Sequence, residues 1–135
     1  GGMRIQADIP DRMLGENKLP SGELAPVAGT EYSLLEPARL SELNLDDVYY
    51  GATPRSTVRI IYDTIGLELV QKATADFTHV VVYTPRDAVC VENQTCSTDT
   101  HNLYDKGFRD ESNLQIVEPG ETADGYIEYI VKLNK

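Results

Sequence analysis

The sequence predicts an all-β chain folded as an antiparallel β-sandwich, and two observations lead to this prediction. Most of the clearly patterned stretches alternate apolar and polar residues with a period of two, as a strand with one buried face does. Turn sequences containing Pro or Gly separate these stretches. The chain has 135 residues, of which 41% are hydrophobic. This is the composition of one globular domain that buries roughly 65–70% of its unfolded surface.

Seven strands are predicted, six of them from period-two alternation. In the last of them Ile127, Tyr129, Val131 and Leu133 point one way while Glu128 and Lys132 point the other, so we expect one buried face there. The predicted strands are Arg4–Ala7, Val58–Tyr62, Leu67–Thr74, Phe77–Thr84, Ala88–Glu92, Leu114–Val117 and Tyr126–Leu133.

The remaining segments are predicted as turns, a loop and one helix. The first 50 residues are irregular after the first strand, with a long stretch punctuated by Pro and Gly that we interpret as a loop. The segment Glu36–Leu45 is the one helical candidate, with Pro37 in its first turn. Residue types typical of turns predict turns at Leu19–Gly22, Thr53-Pro54, Thr84–Asp87 and Glu118–Glu121.

Charge and hydropathy exclude several classes of partner. The formal net charge is −10, which repels phosphate backbones and anionic lipid surfaces, so nucleic acid is not an expected partner. No apolar run approaches the ~20 residues of a membrane span, and no secretory signal pattern is present. We therefore expect a soluble cytoplasmic protein that does not bind membranes.

The two cysteines and the first two residues complete the bulk analysis. Cys90 and Cys96 have no second pair with which to form a zinc site, and reduced thiols are expected. Gly1 and Gly2, before Met3, have the appearance of an expression remnant, so the predicted domain comprises residues 3–135.

Glu92 is the first candidate for chemistry. Counting by two through the segment 88–94 places Val89 and Val91 on one strand face and Cys90, Glu92 and Gln94 on the other. The strand is expected to lie within the sheet, where a carboxylate among apolar neighbours gains proton affinity from desolvation and can serve in acid–base catalysis. The alternative from periodicity alone is an exposed glutamate on a solvated face.

Other polar residues offer weaker signals. Asp46 and Asp47 precede Val48-Tyr49-Tyr50 and could present a carboxylate to a polyol, or could form a charged turn. His79 begins a Val-rich strand, whereas His101 is placed in a polar loop; neither has ligands at metal-binding spacing, so no metal is expected. No Ser-His-Asp order, phosphate-binding glycine loop or dinucleotide fingerprint is present.

Four motifs in order resemble the aldose 1-epimerase (galactose mutarotase) family. The first is the segment 20–32 (PSGELAPVAGTEY), which is similar to the family's P-T-G-E…P-V-x-G-T-x-F/Y, and the second is Asp46-Asp47. The third is the segment 89–95 (VCVENQT) with Asp99 and Asn102, which is similar to a hydrophobic-E-x-Q-T strand followed by D-A-x-N. The fourth is Glu118-Pro119-Gly120-Glu121, which is similar to a closing P-G-E turn. The similarity runs from about Met3 to Lys135 and covers the C-terminal half of the family pattern.

The resemblance implies a fold and a set of roles. The fold would be part of a galactose mutarotase-like β-supersandwich, and the reaction the interconversion of α and β anomers of an aldohexose such as galactose or glucose, without a cofactor. Glu92 would be the general base, while Asp46, His79 and Gln94 would bind substrate, with Gln94 also orienting Glu92.

One part of the family pattern has no counterpart in this sequence. The family's general-acid histidine, with a companion histidine and arginine, belongs to the N-terminal half, so we expect the isolated chain to be nearly inactive. We also expect a partner, either the missing N-terminal half or a second copy, because half a sandwich leaves strand edges and apolar surface uncovered. The alternatives are a noncatalytic carbohydrate-binding module of the same fold, and a hexose-phosphate epimerase, which the few basic residues near these motifs disfavour.

Overall fold

The computed structural model describes residues 2–134, which form ten strands, two short helices and one 3₁₀ turn. The 3₁₀ turn spans Leu40–Glu42, and the helices are α1 (Thr100–Asp105) and α2 (Arg109–Ser112). The strands are β1 (Met3–Ala7), β2 (Asp11–Glu16), β3 (Leu19–Pro26), β4 (Ala38–Arg39), β5 (Asp46–Tyr50), β6 (Val58–Tyr62), β7 (Leu67–Ala73), β8 (His79–Tyr83), β9 (Cys90–Gln94) and β10 (Ile127–Leu133).

The strands form two antiparallel sheets that pack face to face, which confirms the predicted β-sandwich. Sheet I has the order β10-β7-β6-β1-β4, and sheet II has the order β3-β2-β5-β8-β9. Alternate side chains of each strand point toward the opposite sheet, and these side chains form the hydrophobic core between the two sheets. Its completely buried side chains include Ile5 from sheet I and Tyr49, Val80 and Val82 from sheet II.

Most predicted strands are present with small shifts at their ends, but Leu114–Val117 is not a strand. Residues Gln115–Val117 are exposed and pair with no other strand in the described part of the chain. They belong to the connection from α2 to β10. A short apolar run alone does not make a strand when no neighbouring strand is within reach.

The predicted N-terminal loop is wrong, because β2 and β3 form a hairpin there. Asn17 and Lys18 both have positive φ, at 50° and 64°, as a two-residue type I′ turn requires. The predicted turn at Leu19–Gly22 is instead part of β3. Pro20 and Pro26 are tolerated because β3 is the last strand of sheet II, where a residue without a backbone N–H donor costs little stability.

The predicted helix Glu36–Leu45 is also wrong. Only Leu40–Glu42 forms a single 3₁₀ turn, and Ala38 and Arg39 pair instead with β1 as a two-residue strand. Conversely, His101 lies on α1 rather than in a polar loop. In both places pairing and packing with distant residues determine the backbone conformation, which local propensity does not report.

Strand β10 alternates as predicted, but its apolar face is not buried by this chain. Tyr129, Val131 and Leu133 are 59%, 62% and 73% exposed, although they lie on the side of sheet I that faces sheet II. Sheet II ends at β9, which lies over β7: Gln71 donates hydrogen bonds from Nε2 to Val91 O (3.2 Å) and Asn93 Oδ1 (2.6 Å). Strand β10 therefore projects beyond the edge of sheet II.

In residues 2–134 no helix has the length and apolar character of a membrane span.

Candidate functional site

The candidate site residues lie on the face of sheet II that points away from the core. Cross-strand pairing aligns them in three rows. The rows are Asp46, Tyr83 and Cys90; Val48, Val81 and Glu92; and Tyr50, His79 and Gln94. Asp46, His79, Glu92 and Gln94, to which the family resemblance gives roles in one sugar site, therefore lie on one face by strand register. We call this surface the open face of sheet II.

Glu92 is exposed on this open face, and the Gln94 side chain hydrogen-bonds to its carboxylate. Gln94 Nε2 donates a hydrogen bond of 3.2 Å to Glu92 Oε2, as expected for residues two apart on one strand face. The expectation that Glu92 lies within the sheet is wrong for this chain, since β9 is the last strand of sheet II as described. The apolar enclosure expected around the carboxylate is therefore not formed by this chain alone.

Asp46 lies at the start of β5, beside a cleft of about 320 Å³. The cleft opens because β2 and β5 pair at only two positions, Asp11 with Tyr50 and Arg12 with Tyr49, and then diverge. A bulge in β2 between Met13 and Gly15, in its pairing with β3, lies along the cleft. The diverging strands thus expose Asp46 in a concave surface, the kind of place where small ligands bind.

Two basic residues in this cleft were not predicted from the sequence. Lys18 Nζ lies 3.3 Å from Asp46 Oδ2, and Arg12 Nη1 lies 3.5 Å from Asp47 Oδ1. The Arg12 guanidinium also stacks on Tyr32, 3.5 Å from the ring centroid. Recognising Asn17-Lys18 as a two-residue hairpin turn would have located Lys18, but Asn-Lys lacks the glycine that usually marks such turns.

His79 is completely buried, and both of its ring nitrogens are engaged. Nε2 lies 2.7 Å from Glu111 O, and Nδ1 lies 2.8 Å from Thr78 Oγ1. Because a carbonyl only accepts, Nε2 carries the proton and Nδ1 accepts from the threonine hydroxyl. Burial lowers the pKa of His79, and the backbone hydrogen bond to Glu111 opposes this less strongly. The neutral ring thus joins β8 to α2 and has no nitrogen free for a sugar.

The buried His79 predicts a pH dependence of stability. A histidine whose folded pKa lies below its unfolded value of about 6.5 stabilises the fold above that pH, and the contribution is lost as the pH falls through the folded pKa. We expect the free energy of unfolding to fall between pH 7 and pH 5, and less so in His79→Gln. Urea unfolding at several pH values measures this. Equal slopes for both proteins would contradict the assignment.

Two further motifs of the family pattern have structural roles here. Asn102 Nδ2 donates to Asp99 Oδ1 (2.6 Å), and Asp99 begins α1 in the left-handed conformation with φ 56°. Glu118–Glu121 forms the predicted turn, closed by a hydrogen bond of 2.9 Å from Glu121 N to Glu118 O. These residues shape connections rather than line the cleft.

Two observations bear on metal and thiol chemistry within residues 2–134. No group of three or more His, Cys, Asp or Glu side chains in that range is arranged to hold a metal ion. Cys90 and Cys96 are both free thiols and partly buried, and Cys90 lies on the open face beside Tyr83.

Three solved structures show the same fold as this chain. A putative aldose 1-epimerase from Escherichia coli K12 matches 98% of the chain with a TM-score of 0.77 and 18% identity. The GalM/aldose epimerase homologue from C. elegans matches 99% with a TM-score of 0.77 and 16% identity, and a galactose mutarotase-like protein from Clostridium acetobutylicum matches 98% with a TM-score of 0.72 and 14% identity. The chain spans only 46%, 46% and 42% of these three proteins.

The sequence itself also matches a protein-family model. No curated protein sequence is significantly similar to the chain. The model described as aldose 1-epimerase, however, matches residues 4–129, which is nearly the whole chain. By its sequence, and in agreement with its fold, this chain belongs to the aldose 1-epimerase family.

Proposed function

We propose that this chain is the C-terminal part of an aldose 1-epimerase, which supplies the base and part of the sugar-binding surface for the interconversion of α and β aldohexose anomers. The observation that supports this most is the common face shared by Glu92, Gln94 and Asp46 in a member of this family. Val48, which lines the cleft, lies two strands from Glu92 in the same row. At about 4.8 Å per strand this separation is about 10 Å, which a sugar and its hydroxyls can span.

The chemistry needs two groups with opposite roles. Ring opening removes the proton from the anomeric hydroxyl O1 while the ring oxygen gains one, and closure reverses both transfers. In this proposal Glu92 takes the O1 proton, Gln94 fixes the carboxylate, and Asp46 accepts hydrogen bonds from sugar hydroxyls. Val81, partly exposed between Glu92 and Val48, offers an apolar contact to the sugar ring.

Neither histidine of this chain is placed to act as the acid. The chain contains two histidines. The nitrogens of His79 are already engaged, and His101 lies on α1, outside the three rows. We propose that the rest of the family fold supplies the acid. His79 was expected to contact the sugar, but its burial favours a positioning role beneath Tyr50, whose ring centroid lies 5.0 Å away.

Sugar titration tests the assignment of Asp46. Asp46→Asn is expected to weaken D-galactose binding by roughly tenfold, the loss of a hydrogen bond to a charged acceptor. Glu92→Gln is expected to retain binding, because it removes proton transfer and little of the hydrogen bonding. Chemical-shift titration of the labelled chain measures both. Asp63→Asn, at an exposed aspartate paired with Arg4 on sheet I, is the matched control, and an equal loss there would contradict the assignment.

The second candidate is a noncatalytic carbohydrate-binding module. It is favoured by one observation, the exposure of Glu92 without the apolar enclosure that a catalytic carboxylate usually has. It predicts the same binding results, but no Glu92-dependent rate in any assembly. Phosphorylated hexoses are less favoured: Arg12 and Lys18 do line the cleft, yet each is paired with an aspartate that would repel a phosphate.

A further inference from the structure

The outer edge of β10 has a sequence that is symmetric about its central residue. Ile130 is the centre of the seven-residue strand, with Tyr129 and Val131 on either side. The next positions carry opposite charges, Glu128 and Lys132, and both ends of the strand are apolar. β10 pairs with β7 along one edge, and the other edge has no strand beside it in the described chain.

This symmetry makes the strand complementary to itself. If two copies of β10 pair antiparallel about Ile130, Glu128 of each copy lies opposite Lys132 of the other, so two opposite-charge pairs form at once. Cross-strand pairs of opposite charge stabilise a sheet, whereas like charges destabilise it. A two-fold axis through a single residue pair is the simplest closed arrangement of two identical chains.

Strand β7 extends the same charge pattern. Within one chain Lys132 lies opposite Glu68, and Glu128 lies opposite Lys72. Across the two-fold axis the row would therefore read Glu68, Lys132, then Glu128 and Lys72 of the second copy. Charges of alternating sign would run across four strands without interruption.

Pairing also covers apolar surface that is exposed in the single chain. Tyr129, Val131 and Leu133 project from the other face of β10. In the symmetric pair Tyr129 lies opposite Val131 of the second copy, and Leu133 lies opposite its Ile127. Such contacts remove apolar area from water, which favours association.

The other free edges of the sandwich do not offer this complementarity. Symmetric pairing of β9 would place Glu92 opposite Glu92, which is unfavourable in a chain of net charge −10. Strand β3 contains Pro20 and Pro26, and β4 has two residues. We infer that the chain associates with a second copy of itself through β10, joining the two copies of sheet I into one ten-stranded sheet. This inference does not depend on the sugar chemistry proposed above.

Charge exchange tests the inference. Sedimentation equilibrium of the 135-residue chain is expected to show a dimer. Glu128→Lys and Lys132→Glu each place like charges opposite one another, and each alone should raise the dimer dissociation constant at least about tenfold. An equimolar mixture of the two variants should recover dimerisation, because opposite charges then meet across the heterodimer. Glu31→Lys, an exposed residue that changes net charge as Glu128→Lys does, should leave the dimer unchanged.

Several results would overturn the inference. They are a wild-type chain that stays monomeric at high concentration, charge variants that dimerise as tightly as the wild type, or a mixture that shows no recovery. Far-UV circular dichroism verifies that each variant is folded. If a charge variant is unfolded, Tyr129→Ser serves instead, since its exposed side chain contributes to the dimer contact, and unchanged dimerisation of that variant would count against β10.

Discussion

The 135-residue chain alone is expected to leave the mutarotation of fresh α-D-glucose close to its spontaneous rate. Gln94 hydrogen-bonds to the Glu92 carboxylate, which can accept a proton, but neither histidine of the chain has a free ring nitrogen on the open face to protonate the ring oxygen. Loss of a positioned acid typically lowers a rate by ~10²–10⁴, and loss of half the groups that orient the sugar lowers it further. A full-length family member under the same conditions should equilibrate the anomers rapidly.

Polarimetry measures this rate directly. The decay of optical rotation is followed with buffer, the chain, the chain carrying Glu92→Gln, and the full-length relative. We expect the first three to be nearly indistinguishable. Rapid decay with the chain that disappears in Glu92→Gln would contradict the expectation, because it would show that this portion of the fold suffices for catalysis.

Gly22→Ala is expected to destabilise the chain by about 3 kcal/mol. Gly22 has φ 89°, and an added Cβ would lie 2.4 Å from Cγ of the Phe108 ring. The left-handed conformation costs a residue with a side chain about 1–2 kcal/mol, and overpacking typically adds 1–3 kcal/mol. Phe108 lies between α1 and α2, so the substitution should loosen the cover over His79 as well as the contact with β3.

Gly29→Ala is the matched control for this prediction. Gly29 also has a positive φ, 74°, but an added Cβ there would meet nothing within 4 Å. It should therefore show the backbone cost alone. Urea unfolding of both variants separates the two contributions, and Phe108→Ala combined with Gly22→Ala should be less destabilising than the two single effects added together. Equal losses at Gly22 and Gly29 would show that the Phe108 contact is unimportant.

This contact also gives a physical reason for one motif of the family pattern. The segment Pro20-Ser21-Gly22-Glu23 is a strand rather than a turn, and its glycine permits the close approach of an aromatic ring from the helical segment. The motif was informative about the family although its predicted local structure was wrong.

The strands and the orientation of the candidate site could be predicted from sequence because both depend on local periodicity. Val58–Tyr62 was predicted with the observed bounds, and counting by two placed Glu92 beside Gln94. The hairpin of β2 and β3 was missed because its turn has no glycine and β3 contains two prolines. Local patterns report the alternation of a strand, but they do not report which strand lies beside it.

Burial was the least predictable property, because it depends on distant or missing neighbours. His79 is buried by a contact with Glu111, 32 residues away, which nothing near His79 indicates. The apolar face of β10 is exposed because sheet II stops at β9, and Glu92 is exposed on that same last strand. The first exposure comes from the extent of sheet II in this chain, and the second comes from the outward direction of Glu92 on the open face.

The proposed function requires that the open face of sheet II receives the sugar. Titration of the isotope-labelled chain with D-galactose, read residue by residue, tests it most directly. We expect saturable shifts at the Gln94 side-chain amide, the Glu92 carboxylate carbon and the Asp46 backbone amide. Saturable shifts that map to sheet I and leave these three groups unmoved would contradict it.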